Sequence, residues 1–183
     1  MPFKTGTSLA VSTEPSSAPT DRVLVLGLGN ALLKDEGLGG YMAARLGELE
    51  LPGSVEVIDG GTSALDVLLL QKGSYKLIIV DAVRAGKEPG TIYKAHWKTG
   101  QAGKLKTICP QEEHSGISLH QVGLLDSLAL AERIGCAPKE IIFIGVQPKE
   151  IAPGLGLTGE IKQKVPAIIS TLLQEIKNAL YRE

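Results

Sequence analysis

Apolar residues recur along this chain in two rhythms. Residues 23–28 (VLVLGL), 77–80 (LIIV) and 141–146 (IIFIGV) are continuous apolar runs, and 55–58 (VEVI) is a shorter stretch interrupted by Glu56. Such runs, closed by Gly, Asp or Gln-Pro, predict parallel strands buried on both faces. Between them the period becomes helical. Residues 38–49, after the loop GNALLKDEG, predict a first helix. A second is expected after Ser63, which can cap it, with Leu65, Leu68 and Leu69 facing inward. A third is expected to begin near Leu119 and run through Val122, Leu125, Leu128 and Ala129 until Gly135 ends it. The last starts after Thr158 and carries Ile161, Val165, Ile168, Leu172, Ile176 and Leu180 at helical spacing, with Pro166 expected to kink or restart it. Residues 91–97 (TIYKAHW), after the turn Glu88-Pro89-Gly90, predict an antiparallel edge strand, and 98–116 read mostly as loop. This alternation predicts right-handed crossovers and a doubly wound α/β sheet.

Composition narrows the picture. The 183 residues suffice for one domain with a sizeable core, expected over 21–183. Residues 1–20, rich in Ser, Thr, Pro and Ala, are expected to form a flexible tail, with neither the apolar stretch of a secretory signal nor the Arg excess of a transit peptide. A net charge of −1 argues against a nucleic-acid or membrane-surface binder, and 4% aromatics argue against a stacking platform. No apolar run is long enough to span a bilayer. Cys109 and Cys136 are read as isolated thiols of a reducing cytosol.

The chemistry is expected where open α/β sheets bind ligands, outside the carboxyl ends of the strands. Asp35 and Glu36 follow the first strand, Asp59 the second and Asp81 the third, and His120 opens a helix. Gly27-Leu28-Gly29 invites a dinucleotide reading, but the third glycine of that fingerprint would fall on Leu32, and the two carboxylates of the loop would repel a pyrophosphate. Glu36, Asp81 and His120 instead offer oxygen and imidazole donors suited to a borderline divalent ion such as nickel or zinc. Each residue also has a plainer role. Asp35 is read as a cap of the following helix. Glu36 fits either a first-turn acid or a ligand, Asp59 a turn-former, and Asp81 a loop cap. His96 and His114 are read as surface residues.

Five segments, in order, resemble the hydrogenase maturation proteases: VLVLGLGNALLKDEGLGG, VIDGGTSALDVL, LIIVDAVRAGKEPGTIY, SLHQVGLLDSLAL and IIFIGVQPKEI. The resemblance covers about residues 23–176. It implies a three-layer α/β fold, a twisted, mostly parallel five-stranded sheet with helices on both faces. It implies an endopeptidase that trims the C-terminal extension from the large-subunit precursor of a nickel-iron hydrogenase, with already inserted nickel as the recognition signal. Carried over by position, the nickel-contacting residues fall on Glu36, Asp81 and His120. The acid of the Asp-Gly-Gly-Thr segment falls on Asp59, with Asp59, Gly60, Gly61 and Thr62 expected at the substrate and Asp59 the candidate general base. The metal is expected to arrive with the precursor, with zinc or another divalent ion able to replace it in vitro. The expected enzyme is a cytoplasmic monomer that binds neither nucleic acid nor membrane. The alternatives are a non-cleaving chaperone for a metallated partner and a nucleotide-binding protein.

Overall fold

The computed structural model describes residues 22–71, 75–98 and 119–181; the side chains of 119–122 and 125 lie outside that description. The expected tail at 1–20, almost all of the loop expected at 98–116, Cys109 and His114 also fall outside it.

Five strands form one sheet: β1 (Arg22–Leu28), β2 (Val55–Gly61), β3 (Tyr75–Ala82), β4 (Ile92–Lys98) and β5 (Glu140–Val146). Their order is β2-β1-β3-β5-β4. β1 pairs in parallel with β2 and β3, and β3 with β5, while β4 runs antiparallel to β5 at the edge. Among the described residues, four helices cover the sheet: α1 (Leu38–Gly47), α2 (Ala64–Leu70), α3 (Leu119–Arg133) and α4 (Gly159–Tyr181). None of the helices among the described residues is long and apolar enough to cross a membrane.

The continuous apolar runs follow from burial on both faces. On one face Val23, Val25, Ile78, Val80, Ile142 and Ile144 pack against Leu38, Met42 and Leu46 of α1 and the buried stripe of α4. On the other, Leu24, Leu26, Leu77, Ile79, Ile141 and Phe143 meet Ala64 and Leu68 of α2 and Leu124, Leu128 and Ala131 of α3. Fully burying each such side chain contributes roughly 1.5–3 kcal/mol against solvent.

Some expectations are corrected. Asp59 and Asp81 do not follow their strands but lie in the last residues of β2 and β3. Leu69 is 41% exposed and Ala129 exposed, so α2 buries Ala64 and Leu68, and α3 buries Leu124, Leu128 and Ala131. Ser63 holds the N-cap position of α2 without a capping hydrogen bond; its hydroxyl donates to Asp66 instead. Helix α4 runs through Pro166 without restarting, and Leu180 is only half-buried. Lys98 belongs to β4, not to the loop. His96 is exposed, as expected, and bonds to Glu140.

One contact sets how close α1 comes to the sheet. A Cβ on Gly39 would fall 2.0 Å from the Leu28 carbonyl oxygen and 2.5 Å from that of Val80. The helix therefore lies backbone against backbone on the ends of β1 and β3. Gly39→Ala should cost about 3 kcal/mol or more, since rigid backbone must move. Gly47, the last residue of the same helix, has open space where its Cβ would be. Gly47→Ala should gain about 0.5–1 kcal/mol from helix propensity alone. Urea unfolding of the two variants checks this contrast, and equal midpoints would refute the close approach.

Candidate functional site

The strand order reverses at β1: β2 lies on one side of it and β3 on the other. Such a reversal opens a crevice at the carboxyl ends of the diverging strands. Here the crevice is bridged by a 3-10 turn, Lys34–Gly37. Gly29 begins the loop with φ +135°, and a Cβ there would sit 1.8 Å from the carbonyl oxygen of Glu36. The loop closes on itself at that point. The missing side chain of Gly29 thus serves the close approach of the Glu36 backbone.

That closure aims Glu36 at the end of β3. Glu36 is half-buried, with its Oε2 sealed from solvent. Asp81 is 1% exposed; its Oδ1 accepts the Ala82 N–H at 2.8 Å, and its buried Oδ2 has no hydrogen-bond partner among the described residues. Burial pushes the Asp81 carboxyl up to about 8; the Ala82 N–H opposes this, and the Glu36 charge adds to it. The structure therefore brings two of the expected ligands together. A buried acid with one open oxygen, beside a second carboxylate, suits a hard or borderline cation that can replace the proton.

His120 lies in the first turn of α3, and its side chain is outside the described residues. One turn further on, Gly123 and Leu124 border a small cavity with Leu28, Thr62 and Ser63. The start of α3 thus stands at the carboxyl end of β1, the edge that carries Glu36. Among the described residues, no group of three His, Cys, Asp or Glu side chains is placed to hold a metal ion.

Asp59 occupies a neighbouring cleft. The β1–β2 register shifts after Gly27, so that Gly27 faces Asp59 and Leu28 faces Gly61. Asp59 Oδ1 accepts the Gly61 N–H at 2.9 Å, and Gly61 returns its carbonyl to the Gly29 N–H at 2.8 Å. The exposed carboxylate lies against Gly40, where a Cβ would come within 2.8 Å of Oδ2. The cleft holds about 370 Å³, and its lining includes Asn30, Lys34, Tyr41, Asp59, Gly61, Thr62 and Leu157. Neither Glu36 nor Asp81 borders it. Gly60 faces the other way, against Leu26.

Asp35 does not cap α1, whose N-cap is Gly37 with no side-chain bond. It is 1% exposed and reaches across the sheet edge. Its Oδ2 accepts the N–H groups of Lys149 and Glu150 and the Thr158 hydroxyl, each at 3.0 Å, and its Oδ1 accepts the Thr158 N–H at 2.7 Å. Thr158 in turn heads α4, its carbonyl accepting the Lys162 N–H at 2.9 Å. The loop after β5 is thereby tied to the loop after β1. The partners Lys149, Glu150 and Thr158 were not singled out from the sequence; the cap at the head of α4 was the one available signal.

Comparison with known proteins bears on what this edge does. The hydrogenase maturation protease family model matches residues 41–175. The hydrogenase expression/formation protein HupD of Rhodobacter capsulatus is 33% identical over 159 residues, covering 86% of this chain and 72% of its own. The hydrogenase 2 maturation protease of Escherichia coli K12 is 34% identical over 161 residues, covering 87% and 90%. The solved structure of the E. coli hydrogenase maturating endopeptidase HybD superposes with a TM-score of 0.72 at 31% identity, over 86% of this chain and 93% of that one.

Two outcomes follow from the site geometry. Asp35→Ala should cost roughly 3–5 kcal/mol, because the buried donors it satisfies would be left unmatched; a shift of under 1 kcal/mol in urea unfolding would be inconsistent with this. Asp81 is raised from its ordinary 3.8 to about 8 in the folded chain. The folded state then binds more protons than the unfolded one between those values, so the cation-free protein loses stability as pH rises from about 4 to about 8. Asp81→Asn should abolish that fall, which amounts to roughly 6 kcal/mol at most. Chemical unfolding across that pH range checks it, and parallel profiles for the two proteins would disprove it.

Proposed function

Because this chain belongs to the hydrogenase maturation protease family and is an endopeptidase, we propose that it removes the C-terminal extension of a nickel-iron hydrogenase large-subunit precursor once nickel is in place. The observation that carries this reading is the buried carboxylate pair at the sheet crevice, with Asp81 Oδ2 open to a ligand. Glu36 and Asp81 supply hard oxygen donors to the precursor's nickel, and His120 supplies the imidazole. The metal belongs to the substrate. Its capture reports that insertion is complete and holds the precursor so that the scissile bond reaches the neighbouring cleft. Zinc serves as a stand-in for binding measurements.

Asp59 is the general base of this reaction. Its carboxylate stands at the solvent side of the cleft, oriented by the Gly61 N–H on Oδ1. It takes the proton of the attacking water and returns it to the leaving amine as the peptide bond breaks. Gly61 and Thr62 line the same cleft and lie along the substrate. The enzyme acts as a cytoplasmic monomer on this reading.

Incubation with nickel-loaded precursor should release the C-terminal peptide, read by intact mass, while nickel-free precursor keeps its mass. Glu36→Gln, Asp81→Asn and His120→Ala should each slow release by about 10–100-fold. Asp59→Asn should lower kcat by roughly 10²–10⁴ with KM little changed. Cleavage by Glu36→Gln or His120→Ala at the wild-type rate would sink the ligand assignment. A stable complex of wild type with a nickel-loaded precursor whose mass never changes would sink the processing reaction.

A further inference from the structure

Peptide hydrolysis needs, besides a base, a donor for the negative charge that forms on the scissile carbonyl oxygen. Asp59, ionised to act as the base, has no proton to offer that oxygen. Donors bordering its cleft include the Gly29 and Gly61 N–H groups and the side chains of Asn30, Lys34, Tyr41 and Thr62. Both backbone donors are spent: the Gly61 N–H on Asp59 Oδ1 at 2.9 Å, and the Gly29 N–H on Gly61 O at 2.8 Å. The Lys34 ammonium pairs with Glu150 at 2.8 Å. Tyr41 and Thr62 are exposed, and no hydrogen bond among the described residues fixes their hydroxyls.

Asn30 differs. It is half-buried, and its Oδ1 accepts the Leu32 N–H at 3.0 Å. A backbone N–H can meet only the oxygen of the amide, so this bond also settles which end of the planar group is nitrogen. Nδ2 is left with two hydrogens and no acceptor among the described residues. The backbone beneath it is equally set. The Asn30 carbonyl accepts the Leu33 N–H at 3.0 Å, closing the turn. Gly29, just before it, is bonded to Gly61, which in turn holds Asp59. Base and amide are thus linked through two consecutive hydrogen bonds at the ends of β1 and β2. A donor positioned in advance needs no reorganisation when charge develops, the condition under which such a group is most effective.

We propose that Asn30 is a catalytic residue, its Nδ2–H donating to the scissile carbonyl oxygen as that oxygen becomes negative. The proposal rests on the processing reaction above and supplies its second half. Asp59 takes a proton from water, the water oxygen bonds to the carbonyl carbon, and the π pair moves onto the carbonyl oxygen. Collapse restores the C=O, breaks the C–N bond and sends the proton to the leaving nitrogen. Asn30 keeps its own protons throughout.

Two variants separate the donor from the turn. Asn30→Asp keeps an oxygen for the Leu32 N–H and puts an acceptor where the donor stood. Asn30→Ala removes both groups and adds no charge. Each is first shown to be folded by urea unfolding. Cleavage of nickel-loaded precursor is then measured as kcat and KM, and binding separately as Kd. Both variants should lower kcat roughly 10²–10³-fold. KM and Kd of Asn30→Ala should stay within about threefold of wild type. Asn30→Asp at the wild-type kcat would mean that only the turn matters, and Asn30→Ala at the wild-type kcat that only added charge does harm. Either result overturns the donor role and leaves the processing reaction intact, as does a loss carried by KM and Kd instead of kcat. Wild type that binds the precursor without cleaving it would overturn the processing reaction itself, and the role of Asn30 with it.

Discussion

The architecture of the site depends on one buried carboxylate. Asp35 has almost no solvent contact and accepts four hydrogen bonds, all from residues more than a hundred positions away. A buried acid is tolerated only where such donors replace water. The loops after β1 and β5 therefore cannot be placed independently. Asp35 draws the β5 loop onto the crevice and brings Thr158 to the head of α4. It also holds the 3-10 turn at the height from which Glu36 meets Asp81. The packing of α1 completes the constraint from below, through the Gly39 backbone on Leu28 and Val80.

Much of this was legible in the sequence, because burial on both faces of a parallel sheet writes itself as continuous apolar runs. Strands β1, β3 and β5 and the antiparallel edge β4 lie where the pattern places them. The misreadings share a physical cause. Asp35 beside a helix start has the local signature of a cap, and nothing local records partners at Lys149 and Thr158. Helix α2 has only seven residues, too few for its periodicity to show that Leu69 faces solvent. Pro166 breaks the local rule for helices, but Ile161 and Val165 before it and Ile168, Leu172 and Ile176 after it bury one continuous stripe. Tertiary burial outweighs the lost backbone bond.

The candidate site was legible in a different way. Asp81 could be picked out because an acid closing an apolar run is unusual, and Glu36 because it stands in the acidic loop after the first run; the structure brings them together. The glycines between them were harder. Gly27-Leu28-Gly29 has the spelling of a phosphate loop, yet its glycines serve close backbone approach: Gly27 to Gly39, and Gly29 to Glu36. A residue that lacks a side chain reports only that something comes near, and sequence alone does not say whether that is a ligand or the protein's own chain.

Burial divides the edge into two environments with opposite demands. Asp81 is sealed, and in the absence of a cation its carboxyl holds a proton up to about pH 8. Asp59, a few residues away across β1, is exposed and bordered by a cleft. Hydrolysis of a peptide needs water at the base, whereas reading a metal requires that water not compete for it. On the proposed reading, the carboxylate pair in the sealed crevice would bind the metal and the acid in the exposed cleft would handle the water, as separate tasks on one strand edge. The 3-10 turn anchored by Asp35 lies between the two environments, contributing Glu36 to one and Lys34 to the other.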